Sequence, residues 1–222
     1  MSPALLLAQG LAQPGLFQDL SLRLSAGECW ALVGVNGAGK STLCATLAGA
    51  LRPHAGAVVR NGALAYLPEG CPLEGGPKVG DWLSLLSRLP DWEPDVAAEV
   101  LKALPLPLDQ PAQALSLGQR SRLGLLLTLS RDVPILVLDD PFLGLDPGAL
   151  AAAWRLLSVR ADASRALLFA TADLSTAARL ATHLALLRPG APLRSQPLDD
   201  WSAEAAAAGR RLEAHLAAGC GA

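Results

Sequence analysis

Lysine is nearly absent from this chain: only Lys40, Lys78 and Lys102 occur among 222 residues, and arginine carries the positive charge. Net charge is −2 and there is no basic tract. That argues against nucleic acid as the main partner, because phosphate backbones are held by clustered cations. Long apolar runs are missing as well. The longest, "LGLLLTLS" from Leu123, ends at Arg131 and Asp132, well short of the ~18–20 residues that cross a bilayer. The N-terminus has neither the basic start nor the long apolar core of a signal peptide. The expectation is a soluble, cytoplasmic protein. The four cysteines, Cys29, Cys44, Cys71 and Cys220, show no metal or redox spacing. Cys29 and Cys44 lie in apolar sequence and read as small core residues. No internal repeat and no low-complexity linker is present.

What is there is apolar and regular. Hydrophobic residues make up 51% of the chain, which excludes disorder as its general state. The length suits one large domain, or a domain with a small inserted lobe. "LSLRLSAGECWALVGV" reads as two strands around Ala26-Gly27. "AVVRNGALAYLP" reads as a hairpin, because Asn-Gly between apolar runs is a strong two-residue turn signal. From Gly70 to Ala114 prolines are frequent (Pro72, Pro77, Pro90, Pro94, Pro105, Pro107, Pro111), between short helical pieces such as "VGDWLSLLSRL". This composition predicts a small helical lobe. After Ser116 the order is helix, strand "PILVLD", helix after Pro147, strand "ALLFAT", helix "DLSTAARLA", strand "LALLR" and a helical tail around "AEAAAAGRRLEAHLAA". Alternating helices and continuous apolar strands predict an α/β fold with a largely parallel, covered sheet.

"GVNGAGKST", from Gly34 to Thr42, contains G-x-x-x-x-G-K-S between an apolar strand and a helix. This is the pattern of a phosphate-binding loop. Gly34, Gly37 and Gly39, with Asn36 and Ala38 between them, let backbone N–H groups curl around an anion. The helix that begins after them adds its positive end. Lys40 reaches the β- and γ-phosphates, and the Ser41 hydroxyl, beside Thr42, is placed to ligate Mg²⁺. Such loops need a carboxylate at the end of a neighbouring strand to hold the metal. Asp139, the last residue of "ILVLD", fits that place.

With those residues in hand, the sequence resembles the ATP-binding subunits of ABC transporters. The resemblance runs to about Pro189 and rests on "GVNGAGKST", "YLPE", "LSLGQR", "ILVLDDP" and "GLDP", in that order. It implies a P-loop NTPase of the ABC ATPase type: a mostly parallel sheet core, N-terminal antiparallel strands and a small helical subdomain. It implies a single domain over 1–222, with the helical subdomain over 70–132 and a C-terminal helical tail over 198–222. The implied cofactors are ATP and Mg²⁺. The implied partners are an integral membrane permease and a second ATP-binding subunit, as homodimer or heterodimer, on the inner face of the cell membrane. In that arrangement two chains sandwich two ATP molecules. Ser116, Gly118 and Gln119 then stand where the family signature helix meets the partner's γ-phosphate. A helix N-terminus with a hydroxyl and a glycine amide suits an anion, and Ser116 also suits an ordinary N-cap. Asp146 has two readings, a loop communicating between sites or a cap on the helix after Pro147.

Five positions depart from the family pattern. Asp140 stands where a glutamate usually activates the attacking water, one methylene shorter, and small displacements are costly in catalysis. Glu69 replaces a glutamine that senses metal and water, adding negative charge near the triphosphate. Ala172 replaces the switch histidine; His183, eleven residues later, reads as a strand-edge residue. Leu117 replaces the first signature glycine, leaving Gly118 as the phosphate-facing amide. No aromatic occupies the usual adenine-stacking place, and Phe17 reads as core. The leading expectation is a subunit that binds MgATP and hydrolyses it, at a rate the shorter Asp140 can slow, with Asp140 as base, Glu69 as a second catalytic candidate, and Ser41, Asp139 and Glu69 as candidate metal ligands. The alternative is a degenerate ATP-binding partner that hydrolyses poorly. A soluble P-loop ATPase or kinase is the third reading, and a kinase has no use for "LSLGQR" ahead of "ILVLDD".

Overall fold

In a computed structural model of the protein, residues 4–73 and 76–198 are described. The elements follow as β1 (Ala4–Gln13), β2 (Phe17–Ser25), β3 (Cys29–Val33), α1 (Lys40–Ala48), β4 (Ala55–Arg60), β5 (Leu64–Leu67), α2 (Val79–Leu86), α3 (Pro94–Ala103), a 3₁₀ turn (Ala112–Ala114), α4 (Leu117–Leu129), β6 (Ile135–Asp139), α5 (Pro147–Arg160), β7 (Ala166–Thr171), α6 (Leu174–Leu180), β8 (His183–Leu186) and β9 (Arg194–Pro197). The apolar runs become one sheet of order β5-β6-β7-β3-β8-β9, parallel throughout except for the antiparallel β8–β9 pair. A second, antiparallel sheet has the order β2-β1-β4. The architecture is the expected one: an α/β core with a mostly parallel sheet and N-terminal antiparallel strands.

Strand alternation divides the core. On β6, Ile135 and Val137 face a cluster with Leu32, Leu43, Leu47 and Leu168, roofed by Leu6, Leu11 and Phe17 of the antiparallel sheet. Leu136 and Leu138 face the other way, into Leu125, Leu126, Leu129, Leu157 and Phe169. A central parallel strand buries both faces, which is why β6 carries no polar residue before Asp139. Phe17 is core, as expected, and Cys29 and Cys44 are buried. A third, small cluster joins Val79, Ala112, Leu115 and Leu123, so the first turns of α4 pack with α2 and the 3₁₀ turn.

One local expectation fails. Asn61-Gly62 does not close a hairpin: β4 pairs with β1, while β5 runs parallel to β6 in the other sheet. Asn61 is instead fastened to β1, its backbone N–H donating to Leu5 O and its side-chain amide to Ala4 O, both at 2.8 Å. A turn signal is local, and here a ten-residue partner strand on one side and a buried strand on the other outcompete it. Ala26-Gly27 is a turn between β2 and β3, as read from the sequence, and the two strands belong to different sheets. The helical tail expected after Leu198 lies outside the described residues. Among the described residues no helix is long and apolar enough to cross a membrane.

Candidate functional site

The glycine-rich loop links the end of β3 to the start of α1. Gly37 has φ 79° and Gly39 φ 97°, values in the left-handed region that side chains resist. Two such residues let the loop fold back so that Ala38 N–H donates to Val35 O at 3.1 Å. Gly39 is also the N-cap of α1 and brings no side chain to the helix's free N–H groups. Those donors are therefore available to an anion. Lys40, 6% exposed, lies across the loop, its Nζ donating to Gly34 O at 2.9 Å and Val35 O at 3.2 Å. Asn36, Gly37 and Ser41 are exposed, Thr42 half-buried and Ala38 buried.

Asp139 reaches this loop differently from the sequence expectation. Its strand is not the neighbour of β3, because β7 lies between them. Helix α1 packs over β5, β6 and β7 together, and this closes the distance. Asp139 is 2% exposed, and its Oδ1 has no hydrogen-bond partner among the described residues. Burial pushes its pKa up to about 6, against a hydrogen bond from Ser41 and the charge of Lys40 that lower it, with Asp140 and Glu69 raising it further. Unpaired buried carboxylate oxygens are rare and call for an explanation. A divalent cation held by the Asp139 carboxylate and the Ser41 hydroxyl supplies one. The pair fits Mg²⁺, which binds few protein oxygens and fills its other positions with phosphate and water.

Asp140 follows at the end of β6 with φ 44°, a left-handed conformation that aspartate tolerates better than most residues. Burial raises its pKa, the Lys40 charge lowers it and Glu69 raises it. Glu69 lies exposed in the turn after β5. It acts on Asp139 and Asp140 through charge. Among the described residues no three His, Cys, Asp or Glu side chains form a metal-binding group. Ala172 follows β7, whose Thr171 pairs with Val33 of β3; at that place it offers no side-chain donor. His183 begins β8, in register with Trp30 at the start of β3 and stacked on its ring at 4.7 Å. That is the opposite end of the sheet from Asp139, so His183 does not replace the missing histidine.

The start of α4 is built as a capping box. Ser116 Oγ accepts from Gln119 N–H at 3.3 Å, and Ser116 N–H donates to Gln119 Oε1 at 2.9 Å. Each polar side chain of the signature thus accepts from the other residue's backbone N–H. Leu117 stands 39% exposed between them. The glycine at 118 answers to a second constraint: a Cβ there would fall 2.2 Å from Gly144 O. Two further contacts bind this helix to the loop after β6, and a third ties that loop to α5. Ser121 Oγ donates to Leu143 O at 2.6 Å, Arg122 pairs with Asp146, and Asp146 Oδ1 accepts from Ala149 N–H at 2.9 Å as the cap of α5. Asp146 is a cap and, through Arg122, a tie to α4. Sequence reading assigned no role to Ser121, Arg122 or Gly144. The available signal was helical spacing, since Gly118, Ser121 and Arg122 lie three and four residues apart and share one face.

Comparison with known proteins agrees with this geometry. The model of a family described as ABC transporter matches residues 17–143. The cytochrome c biogenesis ATP-binding export protein CcmA of Novosphingobium aromaticivorans is 42% identical over 131 residues, 59% of this chain and 67% of that protein. The hemin import ATP-binding protein HmuV of Nocardia farcinica is 34% identical over 196 residues, 79% of this chain and 68% of its own length. A solved ATP-binding subunit of an ABC transporter superposes with TM-score 0.81 and 26% identity, covering 96% of this chain and 99% of the other.

Proposed function

This chain belongs to the ABC transporter family of ATPases, and from that premise we propose that it binds MgATP through Gly34–Thr42, hydrolyses it slowly, and drives a membrane permease as one half of a dimer. The observation that carries this reading is the buried, unpartnered Oδ1 of Asp139 beside Ser41 and Lys40. Lys40 and the free N–H groups of α1 suit the β- and γ-phosphates. Ser41 and Asp139 suit the metal, which when bound would draw charge from the terminal phosphates. Asp140, held near Lys40 and poorly solvated, suits the water. Ser116, Gly118 and Gln119 suit the γ-phosphate of a second chain's nucleotide, the helical segment within 70–132 suits the permease, and both fit a chain working on the inner face of the membrane. The export function in the name of the more similar curated relative supports an export-type complex.

The test is MgATP turnover by the purified full chain. Turnover should vanish in Lys40→Ala, and wild-type turnover no higher than that variant's would overturn the hydrolysis. One observation favours a second reading, a nucleotide-holding partner of a more active subunit: the end of β7 presents Ala172 and no histidine. Tight nucleotide binding together with turnover at the Lys40→Ala level would establish it.

A further inference from the structure

Asp140 is the most constrained residue of the site. Its φ of 44° is a left-handed conformation that strains a residue with a side chain. The ring of Pro141 directly after it restricts it further. Such a conformation persists only where the surroundings over-determine it. The surroundings that do so belong to α4. Leu143 N–H donates to Asp140 O at 3.2 Å, closing a turn over Asp140–Leu143. The Leu143 carbonyl at the other side of that turn accepts from Ser121 Oγ at 2.6 Å. Ser121 is 3% exposed, so this bond has no water to replace it. Phe142, within the turn, packs edge-on to Phe169 of β7 at 5.9 Å.

We infer that Ser121 is a positioning residue for hydrolysis: its hydroxyl, through the Leu143 carbonyl and the Asp140–Leu143 turn, holds the Asp140 carboxylate where it can orient water. The inference rests on the reading of Asp140 as the water-activating group. It also gives the short aspartate side chain a reason to work. The left-handed backbone, and not a longer side chain, sets where the carboxylate lies. Because Ser121 sits in α4 and Asp140 follows β6, the position of the carboxylate follows the position of the helix.

The experiment is steady-state MgATP hydrolysis by the full chain as wild type, Ser121→Ala, Ser121→Thr, Asp140→Asn and the Ser121→Ala/Asp140→Asn double variant. Urea midpoints confirm that each is folded at the assay temperature. Ser121→Ala should lower kcat about tenfold with KM changed less than about twofold, because the group acts on the transition state and not on nucleotide binding. Ser121→Thr, which keeps the hydroxyl, should recover most of the loss. In the Asp140→Asn background, Ser121→Ala should have no further effect on residual turnover. A kcat within about twofold of wild type in Ser121→Ala, or an equal loss in both backgrounds, overturns the positioning role. Failure of the underlying reading looks different: Asp140→Asn would then turn over as fast as wild type.

Discussion

Gly118 and Gly144 meet backbone against backbone. A Cβ on Gly118 would fall 2.2 Å from Gly144 O, and one on Gly144 would fall 3.0 Å from Gly118 N. The two residues close α4 onto the loop that begins at Asp140. Gly118→Ala should therefore destabilise the chain by about 1–3 kcal/mol through overpacking against rigid backbone. Urea unfolding reads the loss. An unchanged midpoint would mean that the loop moves aside freely.

Asp140→Gly should separate stability from activity. Glycine adopts φ 44° without strain, and the buried carboxyl is removed with it. Thermal or urea unfolding should show a gain of about 1 kcal/mol. MgATP turnover should fall to the Lys40→Ala level in the same protein.

Asp139 gives a stability profile of defined sign in divalent-free buffer. The unfolded carboxyl titrates near 4, and burial raises the folded one to about 6. Between those values the folded state holds more protons, so stability falls as pH rises through the window and levels off above it. The contribution is about 2–3 kcal/mol. Urea unfolding at pH 4 and pH 7 should show this fall in wild type and a smaller one in Asp139→Asn. Asp140, whose pKa is also raised, remains in both.

Arg160 joins α5 to the start of α3. Its guanidinium pairs with Glu93 and donates to Arg131 O at 2.6 Å, with its side chain 8% exposed. Arg165 extends the network to Asp132 and Asp162. Arg160→Met leaves the Arg131 carbonyl without this donor and a partly exposed Glu93 with only the longer contact to Arg165, at 4.0 Å. The expected loss is about 2 kcal/mol, at the low side for a buried pair because Glu93 still meets water. Chemical denaturation measures it, and Glu93→Gln in the Arg160→Met background should add little.

The loop and its metal-side carboxylate were legible because their constraints are local. Gly37, Gly39, Lys40 and Ser41 lie within one turn of chain, and Asp139 ends an unmistakable apolar strand. The order of motifs carried the fold. What the sequence hid is contact between distant segments. Asn61-Gly62 reads as a hairpin until β1 and β6 are known to take the two strands. Gly118 reads as a bare amide until Gly144, far along the chain, is seen to fill the space beside it. Ser121 reads as a polar break in an apolar helix until its hydroxyl is traced to Leu143. A backbone dihedral such as that of Asp140 leaves no mark on residue type at all when aspartate is chosen for its carboxylate.

The strand order also bears on how the chain comes together in time. Among the described residues β3, which leads into the glycine-rich loop, pairs with β7 and β8 alone, both drawn from residues 166–186. None of its sheet neighbours is near it in sequence. During synthesis the N-terminal end proceeds first, so this strand leaves the ribosome long before anything it can pair with. Pairings of such wide separation are slow, and their edges stay open meanwhile. A nascent chain that stops short of β7 lacks both strands that β3 pairs with, so the shape of the glycine-rich loop after β3 is expected to depend on the last third of the protein.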